Sequence, residues 1–159
     1  MLVRSAGVED AEEVASVLRR SIRDLCVLDH AGDEHALQQW LNNKTRENVR
    51  SWIEAADRYI VLAEENGSIL GVGGASRGGE IILNYVAPEA RFKGVSKSIL
   101  GSLEAYLRGL GLARSTLTST RTAHRFYLAM GYEDASDREL WDKLAGQPMM
   151  KSLQWPDNP

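Results

Sequence analysis

The sequence predicts an α/β (α+β) fold: a mixed central sheet of about six to seven strands, mostly antiparallel with one parallel pair, flanked by about four helices. Three observations carry this. Asn66-Gly67 separates two apolar, β-branched runs, the strongest short-range signal for an antiparallel hairpin. An almost continuous apolar run over residues 80–86 passes through a tight loop into the helical spacing of Val95, Ile99, Leu100, Leu103, Leu107 and Leu110. A further strand over 112–118 follows, so the unit reads as a right-handed βαβ crossover with its two strands parallel. Near the N-terminus Val8, Ala11, Val14, Ala15, Leu18 and Ile22 form an apolar helix face, which needs a sheet to cover.

In chain order, residues 1–4 are a short strand. Gly7 with Asp10 three residues on makes a capping arrangement for the first helix, which runs to about Leu28. Residues 30–32 break the pattern. Leu37, Trp40 and Leu41 and, beyond Asn42-Asn43, Val49, Trp52, Ile53 and Ala56 predict one or two shorter helices. The hairpin strands cover 59–64 and 69–75, and Gly73-Gly74 inside the second signals a bulge or a close approach of another element. Gly78-Gly79 turns the chain into the strand over 80–86, which Pro88 ends. Gly109 and Gly111 stop the long helix. A short helix over 123–130 ends at Gly131, Tyr132 opens another strand, and 149–153 is the last, before a tail frayed by Pro156 and Pro159.

A chain of 159 residues fits one domain, 1–159, with one core. Its 43% apolar and 26% charged residues exclude disordered and fibrous classes, and a net charge of -3 argues against bulk nucleic acid as the main partner. The lone Cys26 shares the apolar face with Val14, Val17, Leu18, Ile22 and Leu25, so it reads as a buried structural thiol. No run approaches the ~18 apolar residues of a membrane span and no signal-peptide core is present, so no membrane partner and a cytoplasmic location are expected.

The segment Val86-Ala87-Pro88-Glu89-Ala90-Arg91-Phe92-Lys93-Gly94-Val95-Ser96-Lys97 carries the chemistry. Gly94 lets the backbone turn close to a ligand, the first helical turn presents unpaired N–H groups, and Arg91, Lys93 and Lys97 add positive charge. A phosphate or pyrophosphate suits such a loop. Neither Gly-x-x-x-x-Gly-Lys-Ser/Thr nor Gly-x-Gly-x-x-Gly occurs, which weakens a nucleotide-binding reading.

This Val86-x-Pro88-x-x-Arg91-x-x-Gly94-x-Ser96 loop and, ~30 residues on, Ala123-x-x-Phe126-Tyr127-x-x-x-Gly131-Tyr132 resemble the two signature motifs of the GCN5-related N-acetyltransferase (GNAT) superfamily. Val3-Arg4-Ser5-Ala6, the Asn-Gly hairpin and Met149-Met150-Lys151-Ser152-Leu153 fall where that family has its first strand, second hairpin and last strand. The resemblance implies acetyl-CoA, or another acyl-CoA, as co-substrate and a parallel strand pair splayed apart beside the helix. It places Arg91, Phe92, Lys93, Gly94, Val95, Ser96 and Lys97 at the pyrophosphate loop, with Tyr85 and Val86 along the pantetheine arm. Thr120, Ala123 and Phe126 complete the cofactor wall. Two departures stand out: Ser96 takes a place usually held by a small glycine or alanine, and Thr120 replaces a common asparagine, from where it can cap the following helix.

By the same resemblance Tyr127 is the acid that protonates the departing thiolate, a role its phenol fits by being protonated at neutral pH. Glu80 is in register with a glutamate used as base in the histone-acetylating branch. Asn84, on the same strand face by the two-residue period, is a candidate to position water or substrate. His30 and His35 are alternative bases near the acceptor pocket, whereas His124 reads as facing out. Trp40, Trp52 and Tyr59 lie where the family varies its acceptor site; at helical spacing they also read as core, and an exposed one would stack on an aromatic or cationic acceptor. No metal-ligand spacing appears. The expectation is transfer of an acetyl group to a primary amine of a small molecule or peptide, against a non-catalytic acyl-CoA-binding sensor. A homodimer through the last strand and the tail from Trp155 is implied only by analogy.

Overall fold

The structure, a computed structural model, describes residues 1–137, 139–141 and 144–154. Strands β1 (Leu2–Ser5), β2 (Arg58–Glu65), β3 (Ser68–Ser76), β4 (Glu80–Val86), β5 (Arg114–Ser119), β6 (Glu133–Asp134) and β8 (Leu144–Ser152) form a sheet in the order β1-β2-β3-β4-β5-β8-β6, and β7 (Glu139–Trp141) pairs with β8. Neighbours are antiparallel except β4 and β5, which are parallel as the crossover requires. The helices are α1 (Ala11–Leu25), α2 (Val27–His30), α3 (Glu34–Leu41), α4 (Arg46–Glu54), α5 (Val95–Gly109) and α6 (His124–Ala129).

The hairpin turns at Asn66 and Gly67, both at positive φ (52° and 81°), the conformation an Asn-Gly pair adopts most readily. Gly71 and Gly73 explain the glycine-rich β3: a Cβ at Gly71 would lie 2.8 Å from Ile99 Cδ1 and Val95 Cγ1, and one at Gly73 would overlap Ile99 Cγ2. Their bare backbone lets α5 lie directly on the strand. Gly73→Val should therefore lower stability by about 1–3 kcal/mol through overpacking, seen as a lower urea midpoint at unchanged slope.

The spacing predicts a first helix to about Leu28, but α1 stops at Leu25 and Cys26 turns the chain (φ -96°, ψ 34°) into the single turn of α2. That turn carries Asp29 across to the loop before α6, where its carboxylate is bonded to backbone. The last strand is longer than 149–153 because Pro148 does not block it. The Pro148 carbonyl accepts from Ala135 N–H at 2.9 Å, on the side away from β5 and just past the end of β6. A missing N–H there costs no bond to β5. The tail from Trp155 lies outside the described residues.

The main core joins α1 and α5 to the central strands, including Leu18, Leu62, Val72, Ile99 and Leu103. A smaller cluster of Ile22, Cys26, Ala36, Leu37, Trp40 and Leu41 packs against Tyr85 of β4. This second cluster stands beside the split in the sheet and walls the site described next.

Candidate active site

The parallel pair is short: Glu80 faces Thr116 and Ile81 faces Leu117, and the strands then part. At that point β4 carries a bulge, since Gly74 faces Leu83 and Ala75 faces Ile81, leaving Ile82 as the extra residue. A bulge bends its strand and adds twist, which suits divergence from β5. Ala87 N–H donates to Leu70 O at 2.8 Å. By the alternation of strand backbone, the Val86 N–H faces the other way, to the open edge.

Beyond this edge Phe92 (φ 65°) and Gly94 (φ 78°) turn the chain through left-handed conformations into α5. Ser98 N–H is bonded to Gly94 O at 3.1 Å, so the N–H groups of Val95, Ser96 and Lys97 come before the helical ladder. A Cβ on Gly94 would meet nothing within 4 Å, so the mouth of this turn is open. The Arg91 guanidinium lies 4.7 Å from the centre of the Phe92 ring. The loop forms one end of a cavity of about 480 Å³, whose walls are Asn84, Tyr85 and Val86 of β4, Ser21, Leu25 and Cys26 at the end of α1, and Thr120, Phe126 and Tyr127 around α6.

Tyr127 is 6% exposed, with its ring edge-on to Phe126 (5.2 Å) and Tyr132 (5.6 Å). Tyr132 is fixed in turn: its hydroxyl lies 2.8 Å from both Glu104 Oε2 and Ser115 Oγ, donating to the carboxylate, while Lys151 Nζ approaches Glu104 at 3.1 Å. Burial pushes the Tyr127 phenol up to about 12, and the nearby Asn84 carboxamide opposes the shift. The two make no hydrogen bond of ordinary geometry. Asn84 Nδ2 instead reaches Ser96 O at 3.5 Å, and Asn84 Oδ1 is buried without a partner. An orphaned acceptor in a cavity wall, beside a buried hydroxyl, is a place where a polar ligand group gains most.

The loop that delivers Tyr127 is tied down twice. Thr120 Oγ1 accepts from Ala123 N–H at 3.1 Å, and Asp29 accepts from Arg121 N–H at 2.6 Å, Thr122 N–H at 3.2 Å and the Thr122 hydroxyl at 2.6 Å. Asp29→Ala should release this loop at a cost of about 1–3 kcal/mol for the lost charge-assisted bonds. The expected result is a lower melting temperature, measured by scanning calorimetry.

A second cavity, of about 640 Å³, lies against the start of β4. It is lined by Glu80 to Leu83 and Tyr85, by Thr118 and Thr120 of the β5 side, and by Gln39, Trp40, Asn42, Asn43 and Lys44 at the turn between α3 and α4. A pocket of about 50 Å³ between the diverging strands, bordered by Ile82, Asn84, Thr118 and Tyr127, adjoins both cavities.

Of the residues singled out in the sequence, Tyr85, Val86, Arg91, Phe92, Gly94, Val95, Ser96, Lys97, Thr120, Ala123, Phe126, Tyr127 and Asn84 line the first cavity, and Trp40 and Glu80 the second. Lys93 is exposed on the loop and lines neither. His30 also lies outside both cavities. It is 5% exposed, its Nδ1 accepts from Gly32 N–H at 3.1 Å and its Nε2 lies 3.1 Å from Arg23 O, so both ring nitrogens are engaged. His35 lines neither cavity, and His124 is paired with Asp134 at 2.8 Å. Trp52 packs on the main core, and Tyr59 stacks on Tyr106 with ring centres 4.3 Å apart, away from the cavities. Sequence reasoning missed the α1 wall. Cys26 proves to be a cavity-lining thiol, pushed up to about 12 by burial and therefore neutral. It also missed the turn at 42–44, whose only signal is a polar break between two helical patterns.

Among the described residues no group of three or more histidine, cysteine or acidic side chains could hold a metal ion, and no helix is long and apolar enough to cross a membrane. A family model, the acetyltransferase (GNAT) domain, matches residues 27–153. No match was found among curated proteins. Solved structures share the fold. A GCN5-related N-acetyltransferase from Rhodopseudomonas palustris superposes with a TM-score of 0.85 at 20% identity, covering 95% of this chain and 94% of that one. The PaiA N-acetyltransferase of Thermoplasma acidophilum, in complex with coenzyme A, gives 0.78 at 19% identity over 95% and 98% of the two chains. YncA of Salmonella typhimurium, solved with its cofactor acetyl-CoA, gives 0.72 at 16% identity over 99% and 98%.

Proposed function

We propose, since the chain belongs to the acetyltransferase (GNAT) domain family, that residues 1–159 work as one N-acetyltransferase domain, transferring an acetyl group from acetyl-CoA directly to a primary amine of a small molecule or peptide. The observation that carries this reading is the meeting of two cavities at a split in the sheet, with buried Tyr127 and the unpartnered Asn84 Oδ1 at the junction.

When bound, acetyl-CoA supplies an activated thioester carbonyl. The N–H groups of Val95, Ser96 and Lys97, with the Arg91 and Lys97 charges, hold its pyrophosphate at the positive end of α5. The open edge of β4, where Val86 turns its backbone outward, takes the pantetheine arm beside the Tyr85 side chain, and the outward Val86 N–H stabilises the oxyanion that develops during attack. Asn84 Oδ1 accepts a hydrogen bond from substrate or from the water that orders it.

The acceptor enters from the second cavity and must lose a proton. For an amine of pKa near ~10.4 that costs about 4–5 kcal/mol at pH 7. Glu80, exposed at the cavity rim, receives the proton, directly or through water. Tyr127 donates its hydroxyl hydrogen bond to the sulfur and its proton as the C–S bond breaks, and the second proton lost by the attacking nitrogen restores the phenol. A phenol raised to about 12 keeps that proton in place throughout the neutral range. A cytoplasmic setting accords with the lone Cys26, which is left as a free thiol.

Calorimetric titration tests the cofactor half of this reading. Acetyl-CoA and CoA should both bind, with one molecule per chain, and ATP should not compete. Absence of binding to either would overturn it. Binding without thiol release on any amine would instead leave a sensor.

A further inference from the structure

We propose that the acceptor carries a carboxylate as well as its amine, and that Lys44, with the Asn43 carboxamide beside it, is the residue that selects for it. The inference rests on the acetyltransferase reading and names the substrate class for the same site.

The second cavity bears opposite charges on its two walls: Glu80 on β4, Lys44 on the turn between α3 and α4. The Lys44 ammonium donates to Asn43 Oδ1 at 2.7 Å and forms no ion pair among the described residues. Asn43 lines the same cavity, so the hydrogen-bonded pair is contributed by two neighbouring wall residues. Burial alone draws the Lys44 amine down to about 8. Lys44 is half-buried, and a carboxylate entering the cavity would give its ammonium the anionic partner that the cavity walls do not supply.

The turn is built to hold this charge still. Arg19 Nη1 donates to Leu41 O at 3.0 Å and Lys44 O at 3.4 Å. Lys44 N–H donates to Leu41 O at 3.0 Å, and Asn48 Nδ2 to Asn43 O at 3.0 Å. Lys44 borders neither the first cavity nor the pocket between the strands; besides the second cavity it edges an open groove with Glu12 and Arg19 on the far side of the turn. Its place is therefore to bind the far end of the acceptor, with the amine directed toward Asn84 and Tyr127, rather than to move the reacting proton. An amino acid, or a small amine ending in a carboxylate, has both groups on one short frame.

The test is thiol release from acetyl-CoA with amino acids paired with their own amides, for example β-alanine with β-alaninamide, using wild type, Lys44→Met and Lys44→Arg. Wild type should favour the carboxylate member by about ten- to a hundredfold in kcat/KM. Lys44→Met should bring the ratio to about one, mainly through KM, and Lys44→Arg should keep most of it. Calorimetric binding of acetyl-CoA to each variant reports that it is folded. Equal turnover of acids and amides by wild type, or a preference surviving in Lys44→Met, would overturn the inference while leaving acetyl transfer intact. No turnover of any member would overturn the inference alone, because acetyl transfer as such is tested on amines and peptides that carry no such carboxylate.

Discussion

Tyr127→Phe should lower kcat by about 10²–10⁴, the usual worth of a positioned acid, and leave the calorimetric Kd for acetyl-CoA nearly unchanged. The substitution removes one oxygen and keeps the ring contacts to Phe126 and Tyr132, so the fold of the variant is a fair control. The sign of the pH effect is fixed by burial. The phenolate is the form that burial penalises, the phenol is raised from its ordinary 10 to about 12, and the donor therefore stays protonated as the pH climbs through 10. The kcat of wild type should show no loss from phenol ionisation below pH about 11. Stability follows the same linkage: it is whole below pH 10, where neither state loses the proton, and falls between 10 and about 12, where only the unfolded chain does. Equal kcat in the two proteins would reduce Tyr127 to a packing residue.

Gly94→Val should weaken binding of CoA and acetyl-CoA alike by more than about tenfold. Valine at φ 78° pays about 1–2 kcal/mol for the left-handed conformation, and it does so in open space, because nothing lies within 4 Å of the added Cβ. No clash with the core accompanies the strain. The loop relaxes toward negative φ, which turns the N–H groups of Val95, Ser96 and Lys97 out of line, and affinity falls much further than the melting temperature. A Kd unchanged by Gly94→Val would mean that those amides do not hold the pyrophosphate.

The elements that could be read in the sequence are those specified by neighbours along the chain. The Asn66-Gly67 turn dictates its own hairpin, and the strand, loop and helix from Glu80 to Gly109 carry their period and their stop in one stretch. The turn at Gly94 into the long helix, which borders the first cavity, was legible for the same reason. Elements fixed by distant contacts were not. The end of α1 at Leu25 depends on Asp29 reaching the backbone of Arg121 and Thr122, more than ninety residues away. The strand through Pro148 depends on β6 ending just before it. His30 illustrates the opposite error: a histidine in a loop near the acceptor side looks reactive, yet Gly32 and Arg23 occupy both ring nitrogens. The second cavity draws Trp40 from α3, Lys44 from the turn after it and Glu80 from a strand, and no spacing rule joins positions brought together only by the packing of α3 against Tyr85.

The most direct measurement is a single reaction of the protein with acetyl-CoA and a mixed panel of amines, amino acids and peptides, in which thiol release and acetylated products are quantified together by absorbance and mass spectrometry. An N-acetyltransferase should release thiol only when amines are present, with one acetylated amine formed per thiol. Release no faster than in the amine-free control, or thiol without acetylated amine, would contradict it.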